Sequence, residues 1–313
     1  MNESTLLEIQ ELLRKKADLS DRMRLIPFDG SLEIKEVSGS KYIYARKREV
    51  GRKRSTYLAP FSPETFANFQ RLAIELRLLK KEMRRVEKSL AELGHVSENL
   101  SPRILLNIDF GRANMKALIY DQAVLEGVGT TFPQTEAILE NGKVNGVKAE
   151  DVLKIINLKH AWEFILDKDV VQSPTNFHLL SYIARLVNEG IYNEGGRIRG
   201  IPVAIGGSTY VPPLPLESVV SENINTIIHS SEEEIMKGIE LALYVMKTQV
   251  FNDGNKRSAI IFANHYLISK GLGLLVVPEA SVSKFKKLLI SYYEDKDSQS
   301  IRTFLKNTCW RKF

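Results

Sequence analysis

A chain of 313 residues, 43% hydrophobic and 26% charged, has the length for one large or two ordinary domains and the composition of a globular protein, which excludes disordered and fibrous classes. Its longest apolar run, Leu272 to Val277, contains a glycine and falls far short of the ~18 residues of a membrane span, so no membrane segment is expected. The opening Met-Asn-Glu-Ser-Thr lacks the basic and apolar regions of a secretory signal, and Cys309 is the single cysteine, which together predict a cytoplasmic protein without disulfides. The net charge of +6 is unevenly spread: residues 1–100 carry 20 basic and 15 acidic side chains, residues 101–313 carry 24 and 23.

Leu6, Leu7, Ile9, Leu12 and Leu13 recur at helical spacing within Thr5 to Leu25, and Pro27 with Asp29-Gly30 ends that helix. Three alternating segments follow, Ser31 to Val37, Lys41 to Val50 and Arg52 to Leu58, separated by Ser38-Gly39-Ser40 and Gly51, and they predict a small antiparallel meander. The meander is strongly basic: Lys41, Arg46, Lys47, Arg48, Arg52, Lys53 and Arg54 against Glu49 leave +6 in fourteen residues, with Tyr42, Tyr44 and Tyr57 threaded among them. Such a 41–57 segment suits nucleic acid, whose phosphates take the cations and whose bases stack on tyrosines, or a docked protein. Tyrosines on a three-stranded sheet are also its usual packing face with the charges solvated, so a purely structural role stands beside the other two. Ser62-Pro63 then opens a long helix by N-cap logic. Phe66, Phe69, Leu72, Leu76, Leu79, Met83, Val86 and Leu90 repeat at three and four, and Gly94 ends a run of about 30 residues.

Residues 97–104 read as a linker between an N-terminal module over 1–96 and a mostly helical body over 105–313. In that body Lys148 to Asp167, Thr175 to Gly190, Ser230 to Val250, Asn255 to Lys270, Ser281 to Tyr293 and Ser298 to Trp310 carry helical periodicity, the third opening with a Ser-Glu-Glu-Glu capping box. Ile201 to Pro213, strand-like around Gly206-Gly207, predicts a single β-hairpin in this otherwise helical body.

The most informative segment is Thr248-Gln249-Val250-Phe251-Asn252-Asp253-Gly254-Asn255-Lys256-Arg257: a helix end, a turn and the start of a second helix. Free amides at a helix N-terminus bind anions, and Gly254 lets a phosphate approach the backbone. Asn255, Lys256 and Arg257 add donor side chains there, and Asp253 adds a hard oxygen ligand of the kind Mg²⁺ takes. Spacing alone leaves this equal with an ordinary Asp-Gly-Asn turn that has a solvated basic end. The segment resembles the signature of Fic/Doc proteins, His-x-Phe-x-Asp/Glu-Gly-Asn-x-Arg, at Phe251, Asp253, Gly254, Asn255 and Arg257. The stretch from Gly196 to Pro213 resembles that family's flap, with Val203, Ile205 and Tyr210 on it, and segments at Leu125 to Thr131 and Ile155 to Ala161 resemble helices of larger members. The resemblance implies an all-α core with one β-hairpin flap, ATP and Mg²⁺ at the 253–257 loop, and AMP transfer to the hydroxyl of a target protein docked on the flap by strand addition. It also implies a regulatory role for Glu126, at the glutamate of an inhibitory segment whose serine position is here Gln122.

The departures are specific. Gln249 stands where the family has its catalytic histidine, and a carboxamide orients a hydroxyl but has no useful basicity at neutral pH. Ile260 replaces a further arginine, so a bridge to Glu126 would have to come from Arg257. Lys256 replaces a small residue and keeps a Doc-like phosphotransferase in view, as Gln249 does a nucleotide-binding pseudoenzyme. His265 lies about 12 Å along the second helix from Arg257, too far to replace the missing base, and is expected to be a packed or a surface histidine. Tyr210 is expected to pack the hairpin. No zinc site is expected, and self-association is left open.

Overall fold

The computed structural model describes residues 3–37, 39–49, 52–95, 100–140 and 142–312. The chain divides into two compact units, residues 1–97 and 98–313.

In the first unit α1 (Glu3–Arg24) is followed by the meander β1 (Ser31–Val37), β2 (Ser40–Glu49) and β3 (Arg52–Pro60), antiparallel in that order, and by the 30-residue α2 (Pro63–Glu92). Ser62 caps α2 by accepting from the Thr65 amide at 3.0 Å, with Pro63 at the first helical position where its missing N–H costs nothing. Gly30 turns the chain into β1 at φ 110°, where a Cβ would lie 2.2 Å from the Arg46 carbonyl oxygen, so only glycine fits. The core joins Ile9, Leu13 and Leu19 of α1 to Leu76, Leu79, Val86 and Leu90 of α2 and to Phe28 and Ala45. Period-two alternation in β2 sends Ile43 and Ala45 inward, both buried, so the tyrosines are not the packing face: Tyr42 and Tyr44 project from the opposite side of the sheet, and Tyr57 pairs with Tyr44 there. The extra residue Leu58, at a β-bulge opposite Ile43 and Tyr44, packs against the core.

The second unit is helical. It contains α3 (Pro102–Ala113), α4 (Met115–Leu125), α5 (Phe132–Leu139), α6 (Ala149–Ile165), α7 (Lys168–Val171), α8 (Phe177–Val187), α9 (Glu217–His229), α10 (Glu234–Thr248) and α11 (Asn255–Ser269). A two-residue strand β4 (Leu274–Leu275), α12 (Val282–Tyr293), α13 (Gln299–Phe304) and β5 (Trp310–Arg311), antiparallel to β4, complete it. Thirteen of the fifteen residues of α11 are buried, which makes it the central helix, packed by α10, α8 and α6. Among the described residues no helix is long and apolar enough to cross a membrane.

Three expectations are corrected. The helices α3, α4, α5 and α9 lacked a clear periodic signal; α4 is apolar on most sides, with Leu118, Ile119, Ala123 and Leu125 buried, and α3 starts inside the expected 97–104 linker, capped by Ser101. The Ser231-Glu-Glu-Glu box does not cap α10, which starts only at Glu234 with Glu233 as an N-cap that makes no side-chain bond, so Ser231 lies outside the helix. The flap is not a β-hairpin: residues 202–205 and 208–216 run extended without a ladder around a turn at Gly206-Gly207, and the nearest bridge is Ile198 to Phe251. Pro202, Pro212 and Pro213 remove three amide donors from the two stems.

Candidate functional site

A cation replaces the missing ladder. Arg199, 1% exposed, donates to the carbonyls of Ile201 (2.9 Å), Pro212 (3.1 Å) and Pro213 (2.5 Å), which tie the flap stems together, and to those of Gln249 (2.5 Å) and Thr248 (3.4 Å), which tie both to the end of α10. Proline carbonyls keep both lone pairs, so a guanidinium fork serves where strand pairing cannot. Burial lowers its pKa below the ordinary arginine value. At the far end of the flap, Glu294 accepts from the Thr209 amide (2.9 Å), the Thr209 hydroxyl (3.1 Å) and the Ser208 hydroxyl (3.3 Å). Its pKa falls to about 2, chiefly through the Lys296 ammonium and then the two Thr209 donors. Tyr210 stacks on Tyr293 at 6.5 Å with the Lys247 ammonium 5.3 Å from its ring, so it packs the flap onto α12 rather than one hairpin strand onto another. Val203 and Ile205 are half-buried while Pro202, Ala204 and Gly206 are exposed, the alternation of an extended segment.

The flap base leads to the junction of α10 and α11. Gln249 ends α10 in the left-handed conformation, φ 48°, which a residue with a Cβ seldom adopts. Its carboxamide donates to the Met246 carbonyl at 2.6 Å and accepts from Asn255 at 3.2 Å, so both ends are engaged within the loop. The Asn255 side chain also accepts from the Phe251 amide (2.9 Å) and donates to the Phe251 carbonyl (2.7 Å); it staples the turn and is not offered outward. Gly254, φ 74°, is the N-cap of α11, and a Cβ there would lie 2.8 Å from the Asn188 carboxamide. No side chain caps α11, so its first amides keep the anion-binding capacity of an open helix N-terminus.

Arg257, expected as a phosphate ligand, is 1% exposed and committed to the scaffold. It donates to the Val187 carbonyl (2.7 Å), to Asn188 Oδ1 (3.2 Å) and to Asp253 Oδ2 (2.8 Å). Its Nε faces Glu126 Oε2 at 3.7 Å, while Lys256 Nζ lies 3.8 Å from Glu126 Oε1. Neither Arg257 Nε nor Glu126 Oε1 has a hydrogen-bond partner among the described residues. Glu126 thus lies beside Arg257 without a hydrogen bond to its Nε, and Ile260 is a core residue. Burial raises the Tyr293 phenol pKa, and the charge of Glu126 adds to it. Asp253 is half exposed, with Oδ2 held by Arg257.

Three further residues support this site in a role that no motif announces. Asn188 donates to the Asp253 carbonyl (3.0 Å) while accepting from Arg257, and Gln122 donates to the Arg257 carbonyl (2.9 Å) while accepting from Trp162. With Arg199 they hold the turn from α8, α4 and the flap. His265 is fully buried, donates from Nε2 to the Val170 carbonyl and accepts from Thr175, and burial lowers its pKa to about 4. Cys309 is buried, and burial raises its thiol pKa to about 12. Among the described residues no group of three or more His, Cys, Asp or Glu could hold a metal ion.

The family model of the Fic/DOC family matches residues 174–267. The chain is 26% identical over 243 residues to a protein adenylyltransferase Fic of Drosophila grimshawi, covering 74% of this chain and 48% of that one. It is 27% identical over the same length and shares to the corresponding protein of Drosophila virilis, so the chain spans about half the length of the curated relatives it matches. In fold it resembles Fic-1 (aa134 - 508) from C. elegans, with a TM-score of 0.52 and 20% identity over 79% of this chain and 73% of that one. It also resembles a Fic domain containing signaling protein from Bacteroides thetaiotaomicron, with a TM-score of 0.51 and 18% identity over 62% and 76%. The matched segment holds Asn188, Arg199, the flap, Gln249 and the whole 253–257 turn: residues 174–267 are a Fic/DOC family domain.

Proposed function

We propose that this protein transfers AMP from Mg·ATP to a hydroxyl of a target protein lying along the flap, and does so slowly. The observation that carries the reading is the uncapped N-terminus of α11 at the left-handed Gly254, beside a half-exposed Asp253. Those groups fit a phosphate through backbone amides and a magnesium ion through Asp253 Oδ1; the Arg257 guanidinium fits only after it leaves Glu126 or Asp253. When bound, Mg²⁺ supplies charge neutralisation on the phosphate oxygens. In the reaction the target oxygen bonds to the α-phosphorus, the bond to the β-phosphate oxygen breaks, and pyrophosphate leaves. The hydroxyl proton passes to solvent, because Gln249 cannot accept it. A positioned general base contributes about 10²–10⁴-fold, so orientation and the helix N-terminus leave a residual rate. Glu126 is assigned a regulatory role: at 3.7 Å from Arg257 Nε and 3.8 Å from Lys256 Nζ it occupies the cationic side of the turn that a phosphate would otherwise take.

A second reading is favoured by the Gln249 carboxamide, bonded at both ends inside the loop, which is the arrangement of a binding pseudoenzyme. Incubating the protein and cell lysate with ATP labelled at either the α- or γ-phosphate separates the readings. Label from the α position on protein supports AMP transfer, label from γ alone supports a Doc-like phosphotransferase, and neither, with nucleotide binding intact, supports the pseudoenzyme.

A further inference from the structure

We propose that the N-terminal unit binds single-stranded nucleic acid, with bases on the tyrosine face of the meander and phosphates along a cationic groove beside α2. On the outward face of the sheet Tyr57 meets Tyr42 and Tyr44 edge to face, with ring centroids 5.9 and 5.8 Å apart. Tyr57 is 50% exposed, although Ile43 and Ala45 on the other face already complete the core. Aromatic rings clustered on the solvated face of a small sheet add nothing to that core. They offer a stacking surface that tolerates any base. Lys35 Nζ stands 4.8 Å from the Tyr44 ring centre, and Arg46 follows Tyr44 on the same face, so cations border the rings; a single carboxylate, Glu33, serves both.

The second observation is independent of the tyrosines. A groove of about 730 Å³ runs between the start of β1 and α2, with Leu32, Ala73 and Leu76 on its floor, and its charged lining is Arg77, Lys80, Lys81 and Arg84 without an acid. Lys80 pairs with Asp29. Arg77, Lys81 and Arg84 are exposed and make no ion pair among the described residues. Two acids of α2 are used elsewhere, Glu75 and Glu82 pairing with Arg22 and Lys15 of α1. Like charges at i and i+4, as Arg77 and Lys81 are, destabilise a helix by a few tenths of a kcal/mol. A row that repels itself and serves no contact within the fold suits an anionic strand. The groove and the face share a rim: Ser31 lines the groove, is the register partner of Arg46, and donates to its carbonyl at 3.4 Å. An acidic protein would meet the cations equally well but would leave the three rings unused, which is why nucleic acid is the occupant chosen.

The test uses the full chain and fluorescein-labelled oligo(dT) and oligo(rU) of about 15 nucleotides, read by anisotropy across roughly 0.05–0.3 M salt. Binding of either strand is expected, and the two arms tell DNA from RNA. Replacing Arg77, Lys81 and Arg84 together by Gln should flatten the log–log salt dependence by about 2, three phosphates at about 0.7 each. Tyr57→Ala, at an exposed position that leaves the core untouched, should weaken binding about tenfold at every salt without changing the slope. Absence of binding at the lowest salt overturns the proposal. So does competition by polyglutamate equal to that by unlabelled oligonucleotide together with an indifferent Tyr57→Ala, which would make the surface a site for acidic protein.

Discussion

Single residues at the α10–α11 turn carry the proposed chemistry and its proposed restraint. Gln249 sits where its backbone is strained and its carboxamide is satisfied locally, so its replacement changes basicity more than packing. Gln249→His should raise labelling of protein by roughly 10²-fold or more, with a rate that rises with pH through a pKa near 6.5; an unchanged rate, with nucleotide binding confirmed, would leave the binding reading in place. Glu126 is a carboxylate facing two cations and hydrogen-bonding neither, so it is displaced more easily than a bonded pair. Glu126→Ala should tighten Mg·ATP binding about fivefold to tenfold in calorimetry, because a phosphate then meets Lys256 and the Nε side of Arg257 with Asp253 as the one anion left on that guanidinium. His265 sets an acid limit on the fold. Its folded pKa near 4 is below the unfolded value of about 6.5, so the unfolded chain binds the proton first and stability falls as pH drops from about 6.5 towards about 4, by up to about 3 kcal/mol. Urea titrations at pH 7 and pH 5 should show this loss in the wild type, and a smaller one in His265→Gln.

The flap shows how an element is held without regular hydrogen bonding. Its stems are joined through Arg199 and its tip through Glu294, while the amides of Val203 and Ile205 make no hydrogen bond among the described residues. An extended segment anchored at both ends with its middle unpaired is a free edge for an incoming strand. Val203→Pro or Ile205→Pro should therefore abolish labelling of a target, leave Mg·ATP affinity within twofold, and leave the melting temperature nearly unchanged, since no internal bond is lost. Labelling retained in either folded variant would mean that targets do not use this edge. The strand-like composition of 201–213 points to a hairpin that does not form, because pairing depends on the prolines' missing donors and on a buried arginine whose role has no local signature.

At the scale of the whole molecule, the two units have separate cores. The first is built on α1, α2 and the meander, the second around the buried α11. A fragment of residues 100–313 should accordingly unfold cooperatively on its own and keep whatever nucleotide labelling the full chain has, while losing affinity for oligonucleotides. Denaturation followed by Trp162 and Trp310 fluorescence checks the first point, since both tryptophans lie in that unit.

Local chemistry determined much of this protein from sequence alone. The apolar repeat and Ser62-Pro63 specify α2, the alternation and glycines specify the meander, and Asp253-Gly254-Asn255 specifies the turn, because each depends on neighbours within one or two turns of chain. Helices such as α4, buried on most sides, leave no amphipathic stripe to read and emerged only with their tertiary surroundings. The tertiary structure alone decided which face of the sheet the tyrosines occupy, that Arg257 is a scaffold residue facing Glu126, and that Asn188, Gln122 and Arg199 hold the turn. Each of these rests on partners scores of residues away, and a side chain's role follows from what it is buried against, which spacing along the chain does not encode.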